Sequence, residues 1–350
     1  MSARQIQTVT KLAPPYALFL GTESDPTYAK TGFGLRDWCS EKCIGQIRSS
    51  DETIDLGLHD LSIEGLSRSG VKSVLIGIAN VGGVISKDML QSLIKIARQG
   101  IDIVAGLHTP LNSIDELRQA SAQAGARLID VRVPPPSLPV GTGRKRTGRR
   151  LLTVGTDCAV GKKYTALSIA KALTDHGWSA DFRATGQTGI MIAGEGIPID
   201  AVVSDFLTGA AELVSPDADP DHWDIIEGQG ALHHPGYCAV SHGLLVGSQP
   251  DAFVVCHEAG RSVISGWSDF PLPSIGDVIE KTISVGQLTN PAIQCVGISV
   301  NSSSLEESAA RILLADLSQR YGVPAFDSFR FGSDPIVGQL ESLDFNRSAS

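Results

Sequence analysis

Apolar residues in this chain gather in short runs separated by glycine, proline and polar clusters. In the first half the runs Tyr16 to Leu20, Val74 to Ile78 and Ile101 to Ala105 have the length of strands buried on both faces. Between them Met89, Leu90, Leu93, Ile94 and Ala97 recur at helical spacing and mark one helix face. In the second half the pattern predicts strands near 151–155, 180–185, 223–227, 252–256 and 294–300. It predicts a helix from Tyr164 to Leu173, with Ala166, Ile169, Ala170 and Leu173 inward. A second helix, from Asp200 to Glu212, turns Val202, Val203, Phe206 and Leu207 inward and leaves Asp205 facing a site or solvent. Strands alternating with helices imply parallel sheets joined by right-handed crossovers, hence an α/β protein.

The clearest break is Val133-Pro134-Pro135-Pro136-Ser137-Leu138-Pro139, which cannot hold regular hydrogen-bonded structure, followed by the basic run Arg144 to Arg150. That run is expected to be a solvated linker rather than an anion-binding arm. The division gives an N-terminal domain over 1–145 and a C-terminal domain over 146–350, and 350 residues are enough for two cores. The first domain is expected to be Rossmann-like. The glycines of Gly77-Ile78-Ala79-Asn80-Val81-Gly82-Gly83 do not match a dinucleotide fingerprint and predict a packing turn. The tail Phe345 to Ser350 is expected to fray.

Composition narrows the function. A net charge of −9 argues against a nucleic-acid partner, because phosphate backbones select basic surfaces. Neither a signal peptide nor an apolar stretch of about 18 residues is recognisable, so no membrane partner is expected. Cys39, Cys43, Cys158, Cys238, Cys256 and Cys295 lack metal-ligand spacing, so no metal site is expected and reduced thiols fit a cytoplasmic location. A symmetric homo-oligomer is the ordinary expectation.

The strongest motif is Gly155-Thr156-Asp157-Cys158-Ala159-Val160-Gly161-Lys162, between the strand Leu151-Leu152-Thr153-Val154 and the helix beginning at Tyr164. There main-chain N–H groups and a helix dipole converge on an anion, glycines allow close approach, and Lys162 reaches the phosphates. The C-terminal domain is therefore expected to be a P-loop NTPase-like doubly wound parallel sheet. Five residues separate the glycines, a spacing that resembles dethiobiotin synthetase. Lys163 stands where a hydroxyl would ligate magnesium, and Thr165 comes two residues later. Phosphoryl transfer needs that metal, so the loop is read as anchoring phosphates, with Lys163 adding charge. Cys158, at a helix N-terminus, is a minor candidate nucleophile.

Other candidates stand at the carboxyl ends of predicted strands, where ligands bind in open α/β sheets. Glu227, in Ile225-Ile226-Glu227-Gly228-Gln229-Gly230, reads as an acid, a base, a metal ligand or a structural partner of Lys162. His233 and His234 follow as candidate proton acceptors. The segment 184–196 is rich in glycine and threonine and reads as a loop wrapping a ligand, with Thr185, Gln187 and Thr188 as donors and Arg183 as a carboxylate clamp. His257 and Arg261, after the strand ending at Cys256, are further substrate-binding candidates.

GTDCAVGK at 155–162, ATGQTGIMIAGEG at 184–196, AVVSDFLTGAAE at 201–212, IIEGQG at 225–230 and GSQPDAFVVCHE at 247–258 together resemble one family. It is the two-domain P-loop family long described as a domain of unknown function, whose characterised members are D-glutamate N-acetyltransferases of the DgcN type. Lys30 to Leu35 and Gly100 to His108 extend the resemblance over nearly the whole chain. It implies acetyl transfer from acetyl-CoA to the amine of D-glutamate, in D-amino-acid catabolism, beside an N-acetyl-D-glutamate racemase. Glu227, His233 or His234 would act as base, and Arg183 or Arg261 would hold substrate carboxylates. Lys163-Tyr164 departs from the family pattern and puts metal-dependent use of the loop in doubt. The alternatives are an ATP- and magnesium-dependent ligase resembling dethiobiotin synthetase, and a nucleotide-binding regulatory protein without turnover.

Overall fold

The structure, a computed structural model, describes residues 12–78 and 85–343. Most of the segment Gly77 to Gly83 and the tail from Phe345 lie outside the described residues. The chain divides into two compact units, one reaching Pro135 and including Gly186–Ala201, the other comprising Pro136–Thr185 and Val202 onward. The break in the polyproline segment thus falls ten residues before the expected boundary at 145, and one insert of the second half belongs to the first unit.

In the first unit, strands β1 (Tyr16–Gly21), β2 (Cys43–Arg48), β3 (Ser73–Ile76), β4 (Asp102–Ala105) and β5 (Leu128–Asp130) form a parallel sheet in the order β2-β1-β3-β4-β5. Every residue of β1, β3 and β4 is buried, as expected of strands covered on both faces. Helices α1 (Lys30–Trp38), α2 (Leu66–Ser69), α3 (Lys87–Ala97) and α4 (Asp115–Ala124) join them. Ser86 caps α3 by accepting from the Met89 N–H, and Met89, Leu93, Ile94, Ile96 and Ala97 are buried.

The second unit holds a six-stranded parallel sheet. Its strands are β6 (Arg149–Gly155), β7 (Ala180–Arg183), β8 (Trp223–Ile226), β9 (Ala252–Glu258), β12 (Gln294–Asn301) and β13 (Ala325–Phe326), in the order β13-β12-β9-β6-β8-β7. A hairpin of β10 (Val263–Ile264) and β11 (Trp267–Pro271) stands apart. Helices α5 (Lys162–Asp175), α7 (Ser204–Val214), α8 (Cys238–Ser248), α9 (Ile275–Gly286), α10 (Glu307–Tyr321) and α11 (Asp334–Ser342) complete the unit. Leu151, Ile169, Leu173, Trp223, Val254, Val296 and Ile336 lie in one core against the central strands.

Three expectations are corrected. The segment 184–196 is not simply a loop, because Gln187–Ala193 form helix α6, ended by left-handed Gly194 and burying Gly189, Ile190, Met191 and Ile192. Helix α7 begins only at Ser204, so Val203 is 65% and Phe206 37% exposed while Leu207, Ala210, Ala211 and Val214 face inward. Asp205 is exposed. Nor is the basic run a solvated linker. Arg146 and Arg150 are buried, Arg146 donating to Ser215 O at 2.6 Å and Ser248 O at 2.9 Å. Arg150 donates to Ser215 Oγ at 2.6 Å and Pro216 O at 2.9 Å. Their planar donor forks satisfy carbonyls at the amino end of the sheet, a structural use that a charge run does not reveal.

Candidate active site

Strand β6 delivers the chain to the glycine-rich loop, and the Thr156 N–H continues its ladder by donating to Cys256 O at 3.0 Å. A Cβ on Gly155 would come within 2.8 Å of Val160 Cγ2, so the tight turn requires glycine. Ala159 has φ 55° and Gly161 φ 103°, and Gly161 is the N-cap of α5. The first-turn N–H groups of α5 and its dipole thus open onto the loop, as anion binding requires. Lys162 is buried and donates from Nζ to Asp157 O at 2.7 Å. Burial pushes its ammonium below the ordinary lysine value, and an anion in the loop would offset that penalty.

Glu227, just past β8, is buried, and its Oε2 accepts from the Thr185 N–H at 3.0 Å. Thr185 Oγ1 donates to Glu227 O at 2.6 Å and accepts from Gln229 Nε2 at 3.1 Å. Gly228 donates to Thr153 Oγ1 at 2.9 Å, and a Cβ there would meet Lys162 Cδ at 3.0 Å. Glu227, Thr185 and the P-loop lysine therefore occupy one end of the sheet.

His234 Nδ1 accepts from the Gly236 N–H at 3.1 Å, which leaves the neutral ring's proton on Nε2. Nε2 is buried, has no hydrogen-bond partner among the described residues, and lies 3.8 Å from Asp157 Oδ1. The rings of Tyr237 and Trp267 flank it with centroids at 4.6 Å. In this arrangement the ring spends its Nδ1 lone pair on Gly236 and turns its Nε2–H toward Asp157. His233 is half-buried, and burial lowers its pKa against the pull of Asp277 on α9. His257 Nδ1 lies 3.2 Å from Thr156 Oγ1, and burial, then Arg261, lower its pKa.

Asp157, Cys158 and His234 bring three potential metal-ligand atoms within 4.8 Å of one another. Their chemistry does not suit an ion. The protonated Nε2 offers no lone pair, burial raises the Cys158 thiol pKa, and both Asp157 oxygens already accept hydrogen bonds, one of them from a guanidinium. The same rise in pKa weighs against Cys158 as an activated nucleophile.

Arg183, expected to clamp a substrate carboxylate, instead donates from Nε to buried Asp224 at 2.5 Å and pairs with Asp181 at 3.3 Å. Arg261 turns onto the loop, donating from Nη1 to Asp157 Oδ2 at 2.8 Å and Cys158 O at 2.9 Å, and pairs with Glu258. Gln187 and Thr188 lie on α6 in the first unit, where Gln187 donates to Asp200 at 3.1 Å and Thr188 Oγ1 is 2.9 Å from Thr31 Oγ1. The Lys163 ammonium stands 4.5 Å from the Tyr164 ring centroid, and Thr165 Oγ1 is 2.8 Å from Ser299 Oγ. The sequence reading missed the partners of Asp157. An acid inside an anion-binding loop is the only sequence signal that such a cation must exist.

Two family models match the chain, the DUF1611 P-loop domain of unknown function over residues 139–337 and its Rossmann-like N-terminal domain over 48–134. A protein named D-glutamate N-acetyltransferase from a Pseudoalteromonas species is 46% identical over 330 residues, covering 94% of this chain and 99% of the relative. Another of the same name, from Tritonibacter scottomollicae, is 41% identical over 329 residues, 94% of this chain and 99% of its own length. The crystal structure of a DUF1611 family protein from Anabaena variabilis superposes with a TM-score of 0.84 at 32% identity, covering 95% of this chain and all of that one.

Proposed function

Because this chain belongs to the DUF1611 family of two-domain P-loop proteins, we propose that it transfers an acetyl group from acetyl-CoA to the amine of D-glutamate. Whole-length similarity to two relatives named D-glutamate N-acetyltransferase carries this reading. The coenzyme A phosphates rest on Gly155 to Lys162, with Lys163 adding positive charge. Thr165 is engaged with Ser299 rather than turned to the loop, and Lys163 offers no hydroxyl. Both features favour anchorage of phosphates over their transfer.

The amine must be neutral to attack the thioester carbonyl. Glu227 is the base favoured here, since its carboxylate is fixed by the Thr185 N–H at the sheet end that carries the P-loop. The C–N bond forms, the tetrahedral intermediate collapses with loss of the C–S bond, and the departing thiolate takes up a proton. Main-chain N–H groups of the glycine-rich turns are suited to bind the oxyanion. We place the enzyme in the cytoplasm as a homo-oligomer, with its product passed to a racemase. Six free cysteines support that location, and no helix among the described residues is long and apolar enough to cross a membrane. The test is release of coenzyme A thiol that depends on D-glutamate and on neither ATP nor magnesium.

A further inference from the structure

We propose that Asp157 and Arg261 form a positioning pair that sets the shape of the phosphate loop, so that Arg261 serves the acyl donor and does not touch the amino-acid acceptor. The inference rests on the donor-site reading above and assigns roles within that site.

Asp157 is fully buried inside a loop built to attract anions, and a buried carboxylate persists only if it is paired and hydrogen-bonded. Its Oδ1 accepts from the Cys158 N–H at 2.6 Å, and its Oδ2 accepts from Arg261 Nη1 at 2.8 Å and the Ser265 N–H at 2.8 Å. Arg261 Nη1 also donates to Cys158 O at 2.9 Å, so one guanidinium nitrogen holds the loop by side chain and main chain together. Glu258 pairs with the other end of Arg261 and fixes its direction.

Two consequences reach the anion site. Asp157 O is the acceptor that holds Lys162 Nζ at 2.7 Å, so the residue clamped by Arg261 also places the P-loop lysine. Ala159, two residues on, has φ 55°, a left-handed conformation that a non-glycine residue keeps only where its surroundings enforce it. With its guanidinium bound to Asp157, Cys158 and Glu258, Arg261 is poorly placed to grip a substrate carboxylate as well.

The test titrates coenzyme A itself onto the intact protein by calorimetry and, in parallel, measures the KM of D-glutamate. Arg261→Met is expected to weaken coenzyme A binding about tenfold or more with the D-glutamate KM unchanged, and Arg261→Lys to recover part of the loss. Asp157→Asn is expected to match Arg261→Met, and the double variant to be no worse than either, because the two act as one unit. Glu258→Gln, a milder change, is expected to shift coenzyme A affinity in the same direction. A raised D-glutamate KM with coenzyme A affinity intact would overturn the proposal, as would additive losses in the double variant. Coenzyme A binding is read without turnover, so an incorrect acceptor assignment would show as absent thiol release and leave the coenzyme A affinities of the variants, and the double-variant comparison, as the deciding readout.

Discussion

At the residue scale, Glu227 and His234 separate on hydrogen-bond direction. The His234 ring spends its Nδ1 lone pair on Gly236, whereas Glu227 is an acceptor oriented by Thr185. Glu227→Gln, nearly isosteric, should lower kcat by about 10²–10⁴, the usual worth of a positioned base, with little change in coenzyme A affinity. Single-turnover and steady-state rates would check it, and wild-type kcat would remove Glu227 from the mechanism. His257 makes a prediction about stability. Its folded pKa is lowered by burial, so between the folded and the unfolded values the unfolded chain binds the proton that the native state refuses. Stability is therefore greatest above the unfolded value of about 6.5 and falls as pH drops through it. His257→Asn should flatten the fall in Tm between about pH 7 and pH 5; an unchanged slope would assign it to other groups. Residue types showed where acids, bases and cations stand along the chain. They could not show which donor meets which acceptor, so Arg183 and Arg261 looked equally free in sequence, yet one is bound to Asp224 and the other to Asp157.

At the element scale, most central strands were legible because buried parallel strands read as unbroken apolar runs, and β6 with α5 was legible from its glycines and lysine. Strands β2, β5 and β13, short or broken by polar residues, were not anticipated. Nor was helix α6. Its seven residues carry two polar side chains and a glycine at the start, and its order comes from burial of Ile190, Met191 and Ile192, a tertiary effect. The turn after β8 shows how tightly the site is built. A Cβ on Gly228 would stand 1.7 Å from Thr153 O, so Gly228→Ala must push β8 away from β6. We expect a loss of about 1–3 kcal/mol or more, as in overpacked cores, together with loss of activity, since Glu227 and Lys162 flank that contact. Denaturant unfolding beside activity would check this, and a wild-type midpoint would contradict the close approach.

At the scale of the whole molecule, the proposed reaction asks an acidic chain of net charge −9 to hold anionic substrates, which requires cations concentrated at one loop. Each unit carries its own parallel sheet, and the chain enters the first unit again at Gly186 before returning at Val202. That exchange escaped the sequence reading because it follows from which core receives α6, not from local pattern. In the proposed reaction, Lys163 in place of a magnesium-binding hydroxyl leaves the P-loop unit to anchor phosphates, with no nucleotide hydrolysed. The most direct measurement is thiol release from acetyl-CoA by the purified protein, with D-glutamate or L-glutamate as acceptor, in parallel with ADP release from ATP and magnesium. The account predicts thiol release with D-glutamate, without ATP or metal; ADP release with no thiol formed would contradict it.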